Sequence, residues 1–67
     1  MYKVNVESSN ISRIGYENGE LFVEFKGGST YKYINVPQEV FINMINADSK
    51  GRYLTENVKS RYDFIKL

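Results

Sequence analysis

The chain has 67 residues, 42% of them hydrophobic and ten of them aromatic, with a net charge of +1. That is one small domain with a real core, and the apolar content argues against disorder. With no histidine and no cysteine, Cys/His zinc sites, cysteine nucleophiles and a Ser-His-Asp triad are excluded, and so are stabilising disulfides.

A cysteine-free domain this small suits a reducing compartment, so a cytoplasmic location is expected. "MYKVNVESSN" has no apolar core of a signal peptide, and none is expected. No run approaches the ~18 apolar residues of a membrane span, so no membrane partner is expected.

In chain order, "YKVNV" (2–6) alternates Tyr2, Val4 and Val6 against Lys3 and Asn5, the pattern of a half-buried strand. "SSN" (8–10) breaks it with side chains that bond nearby backbone. "ISRIGYE" (11–17) reads as a second strand. Asn18-Gly19 then makes a tight hairpin, because both residues accept positive φ. "LFVEFK" (21–26) alternates Leu21, Val23 and Phe25 against Phe22, Glu24 and Lys26, "GGS" (27–29) turns, and "TYKYINV" (30–36) returns.

Pro37 fits a helix start, and Glu39 complements the helix dipole there. "PQEVFINMINA" (37–47) puts Val40, Phe41, Met44 and Ile45 on one stripe, the face that packs on a sheet. "ADSKG" is read as the stop. Thr55 is read as the N-cap of a short second helix, "ENVKS". "YDFIKL" closes the chain as a short strand or an extended tail. The expected fold is α+β: an antiparallel meander of three to four strands, packed on one longer and one short C-terminal helix.

Charge is uneven. Residues 1–48 carry four basic and six acidic side chains, residues 49–67 five basic and two acidic. Such asymmetry marks a candidate anion-facing surface. In "SKGR" (49–52), Ser49 precedes Lys50, a point charge; Gly51, which admits close backbone approach; and Arg52, a planar fork. Lys59 and Arg61 follow, two apart, so they diverge on a helix. The same stretch reads equally as a solvated turn. Ser8, Ser9 and Asn10, with Arg13 and Tyr16 beyond them, form a candidate anion nest or an ordinary turn. Tyr31 and Tyr33 lie on one face of a strand, as a stacking platform for bases or as core tyrosines with hydroxyls at the rim. The carboxylates are scattered, with no D-x-D cluster, so neither a metal nor a catalytic residue is assigned, and no cofactor.

The order of these motifs resembles the KTSC domain. Ser9-Asn10 precedes a Gly15-Tyr16 strand; the Tyr31/Tyr33 pair, Val36-Pro37, Ser49-Lys50-Gly51-Arg52 and Tyr62 follow in sequence. The likeness spans about residues 4 to 67. That family is named for its occurrence at the C-terminus of some lysyl-tRNA synthetases and also occurs as short bacterial and phage proteins. The resemblance implies an RNA-binding role and carries over no catalytic residues. These 67 residues hold no synthetase domain, so a tRNA task is not part of the expectation. The expectation is a non-catalytic binding module for RNA, single-stranded nucleic acid or a nucleotide-like anion, with Lys50 and Arg52 converging on one anion. The alternative is a protein-interaction module, as a homodimer or a phage-type inhibitor of a host factor.

Overall fold

The computed structural model describes residues 1–67. Five strands form one antiparallel sheet in chain order: β1 (Tyr2–Asn5), β2 (Ile11–Glu17), β3 (Glu20–Phe25), β4 (Thr30–Tyr33) and β5 (Phe64–Lys66). Two helices, α1 (Gln38–Ile45) and α2 (Lys50–Asn57), lie between β4 and β5. The α+β meander is as expected, and the C-terminal segment completes it as a fifth strand beside β4.

Asn18 and Gly19 take φ of 50° and 80°, which matches the hairpin twist to that of the strands. Leu21 and Val23 stand opposite Tyr33 and Tyr31, so the alternation in both strands faces one side. In β2 the inward residues Ile11 and Ile14 are three apart, which a regular strand forbids. A bulge between Ile11 and Arg13 restores the register, and the Ser12 hydroxyl donates to the Glu24 carbonyl at 3.1 Å. After β4 the chain folds back: the Val36 amide bonds the Gly19 carbonyl at 2.8 Å, and the Tyr16 hydroxyl bonds the Val36 carbonyl at 2.6 Å. That pins Pro37, and hence α1, over the sheet.

The core consists of Ile11, Ile14, Leu21, Val23 and Tyr33 from the sheet, with Val36, Phe41, Met44, Leu54 and Val58 from the helical side. The second helix departs from expectation. It begins at Lys50 with Ser49 as N-cap, whose Oγ accepts from the Arg52 amide at 3.2 Å. Thr55 is therefore mid-helix, its hydroxyl turned back on the Gly51 carbonyl at 3.1 Å. Both helices have eight residues.

The outer face of the sheet carries ion pairs. Lys3 lies 3.1 Å and Arg13 2.8 Å from Glu24, and Lys32 lies 3.4 Å from Glu20. The Lys3 ammonium first, and then the Arg13 guanidinium, hold Glu24 below its ordinary 4.5 against the opposing effect of burial. A depressed carboxylate stabilises the fold at neutral pH, and that contribution is lost as pH falls from near 4.5 through the lower folded value. Glu24→Gln is expected to cost about 1 kcal/mol or less at neutral pH and to flatten the acid limb. Thermal melts at stepped pH check this; identical acid limbs in both proteins would refute it.

Candidate functional site

Two segments far apart in sequence meet at one end of the sheet. One is the Ser8-Ser9-Asn10 turn. The Ser8 hydroxyl oxygen accepts from the amides of Asn10 at 3.4 Å and Ile11 at 3.3 Å, fixing the turn so that Asn10 faces α2. The other is the first turn of α2. A β-carbon at Gly51 would sit 3.2 Å from Asn10 Oδ1; glycine is there because the loop comes so close. Its φ is not positive, so the close approach of the loop, and not a left-handed turn, accounts for the glycine.

Between the two segments lies an open cleft of about 490 Å³ with no apolar residue in its walls. Ser9, Asn10, Ser49, Lys50, Gly51 and Arg52 all line it, so two of the sequence-derived groups share one site. The amides of Lys50 and Gly51 find no acceptor in the protein, as expected for the first residues of a helix. No acidic residue occupies the first turn of α2. Two cations beside the positive end of a helix dipole cost stability unless an anion offsets them.

The expected convergence of Lys50 and Arg52 is not seen. Two positions apart on a helix of 3.6 residues per turn, they point away from each other. Lys50 Nζ donates to the Ala47 carbonyl at 2.6 Å, beyond the end of α1. Arg52 Nε donates to Glu56 at 2.9 Å, a pair exposed on both sides. Glu7, Asp48 and Glu56 also line the cleft, and they do not gather as a metal-binding group.

The profile described as "KTSC domain" matches residues 7–62. The chain belongs to the KTSC domain family. A protein of Tsukamurella paurometabola is 44% identical over 64 residues, covering 92% of this chain and 96% of that one. A lysine–tRNA ligase of Nostoc punctiforme is 36% identical over 63 residues, or 91% of this chain but 11% of the ligase. The crystal structure of a KTSC domain protein from Yersinia pestis superposes with a TM-score of 0.90 at 35% identity, covering 98% of this chain and 96% of that one.

The KTSC match takes in both walls of the cleft and both tyrosines. Those tyrosines are not an open stacking platform. They face the helices, and Tyr33 is 2% exposed because β4 is covered on that side; burial first, and Tyr31 second, push its hydroxyl above the usual 10.0. Tyr31 is half-buried beside an aromatic groove of about 540 Å³, whose walls include Phe25, Phe64 and Lys59. Arg61 is exposed in the turn after α2, beside Lys59, Tyr62 and Asp63. Arg13 lies on the opposite face of the sheet, bound to Glu24, away from either site. Sequence reading missed Thr55 and Phe64 as site residues. Phe64 carried a signal, since it alternates with Ile65 in a short closing strand.

Proposed function

We propose that this KTSC domain is a non-catalytic module that binds single-stranded RNA, or a nucleotide-like anion, in the polar cleft. The observation that carries the reading is the start of α2: two free amides, two cations and a glycine meet Ser9 and Asn10 across a wall-to-wall polar cleft. Free amides at a helix start are anion donors. Phosphate oxygens would accept from the Lys50 and Gly51 amides, with the Ser9 hydroxyl and Asn10 amide opposite. Arg52 is free to exchange partners, because its pair with Glu56 is exposed on both sides and water screens it. Glu7 and Asp48 oppose a dense polyanion, and a net charge of +1 attracts duplexes weakly. One phosphate of a flexible strand suits the cleft better. The occurrence of a similar segment in lysine–tRNA ligases supports RNA as the ligand, and a cysteine-free chain suits the cytosol as the place.

Titrating labelled single-stranded RNA at low and moderate salt tests this. Lys50→Ala with Arg52→Ala is expected to reduce affinity and to lower the log–log salt slope by about 0.7, the value for one phosphate contact on a single strand. Unmeasurable binding at both salts, or unchanged affinity in the double variant, sinks the proposal.

A second reading is favoured by the edge strand β5. Phe64, Ile65 and Leu67 are 52%, 49% and 62% exposed on an edge with nothing beyond it, which suits strand pairing with a second copy or another protein. Light scattering at high concentration decides; a strict monomer counts against self-association.

A further inference from the structure

The aromatic groove shares no lining residue with the polar cleft. Three neighbouring strands supply its rings. Phe25 meets Tyr31 edge-on at 5.7 Å, and Phe64 tilts against Tyr31 at 5.3 Å and Tyr33 at 5.7 Å. Its volume of about 540 Å³ falls within the range of small-ligand sites.

Tyr33 makes the groove more than an apolar dent. A buried tyrosine normally bonds its hydroxyl to a partner, as Tyr16 does with the Val36 carbonyl at 2.6 Å. The Tyr33 hydroxyl bonds nothing in the protein although the residue is 98% buried, and the atom is not sealed off. Tyr33 is one of the residues that line the groove. The only charge in the walls is Lys59, which pairs with no carboxylate. Lys66 stands across from Tyr31 in the strand register, also unpaired. Rings, an unpartnered hydroxyl, a free cation in the wall and a second on the neighbouring strand call for a flat, polar-edged group attached to negative charge.

We propose that the groove holds one unstacked base of single-stranded RNA. The base lies against Phe64 and Tyr31, its polar edge bonds the Tyr33 hydroxyl, and the adjoining phosphate sits near Lys59 and Lys66. The Lys26 amide donates to the Asn10 carbonyl at 2.8 Å. The turn beside the groove is thereby joined to the loop that walls the polar cleft, and one strand can follow that seam. This assignment rests on the RNA-binding reading and adds to it where the base goes.

The test uses the intact protein with a single-stranded oligoribonucleotide, its abasic counterpart and free adenosine and uridine. The base-containing strand is expected to bind at least about fivefold tighter than the abasic one, the low end for one stacked base. Tyr33→Phe, which keeps the core ring, and Phe64→Ala, at an exposed position, should bring that ratio towards one and leave abasic affinity unchanged. Equal affinities in the wild type, or a ratio that survives both substitutions, would overturn the base site while the cleft reading stands. If neither strand binds, the cleft reading falls and the nucleosides judge the groove. Ring-proton NMR shifts at Tyr31 and Phe64 on adding nucleoside support it, and their absence refutes it. Shifts at Phe64 that track protein concentration without nucleoside assign the groove to a second copy, and also refute it.

Discussion

Phe41→Ala is expected to cost about 3–5 kcal/mol, the range for emptying a buried aromatic site. Phe41 is 3% exposed. Its ring stacks on Tyr16 at 5.5 Å and meets the Tyr2 ring edge-on at 5.7 Å, so one side chain ties α1 to the first two strands. A chain of this length has roughly 3–10 kcal/mol of stability in all, at ~0.05–0.15 per residue. The variant should therefore lose from about a third of that stability to all of it, with no cooperative urea transition or one at a much lower midpoint. Ile42→Ala, one residue on and 44% exposed, should stay within about 0.5 kcal/mol. A wild-type midpoint for Phe41→Ala would mean that α1 is held by something other than this ring.

The same contrast shows where the fold was legible. The Asn18-Gly19 turn, the Leu21/Val23 alternation and the Phe41/Met44 stripe are local patterns that packing reinforces, and each lies where its pattern puts it. The start of α2 was not legible. Gly51 is a poor helix former, Lys50 and Arg52 carry the wrong charge for a first turn, and Thr55, with Glu56 next to it, offers a competing N-cap with a favourable first-turn charge. Local preference there is overridden by the Ser49 cap and by Leu54 and Val58 reaching the core. The candidate site was legible in its parts and not in its assembly. Nothing local says that Asn10 approaches Gly51, that Lys50 turns to the Ala47 carbonyl, or that Tyr33 lies beneath the sheet's helical cover. Those are tertiary facts. A family of motifs in fixed order pointed at the right residues without saying which of them share a cleft.

Local rules break at one helix start, and that makes Gly51 the place where stability and binding should separate. Gly51→Ala is expected to stabilise the chain, because glycine inside a helix costs about 0.5–1 kcal/mol relative to alanine. The opposing cost is small. The new β-carbon would lie 3.2 Å from Asn10 Oδ1, but Asn10 is exposed, its side chain is held only by the Ser8 hydroxyl at 3.3 Å, and it can move by the few tenths of an ångström required. Tm should rise by a few degrees, at about 4–8 °C per kcal/mol for a domain this size. RNA affinity should fall, because the displaced Asn10 and the added methyl group both intrude between the free amides and the facing loop. Denaturation and titration on the same preparation make the comparison. A variant that is more stable and binds as tightly as the wild type would remove the cleft from the binding surface, leaving Gly51 with only a packing role. A variant that is less stable would mean that Asn10 cannot yield, and that the loop–helix contact is itself part of what holds the domain together.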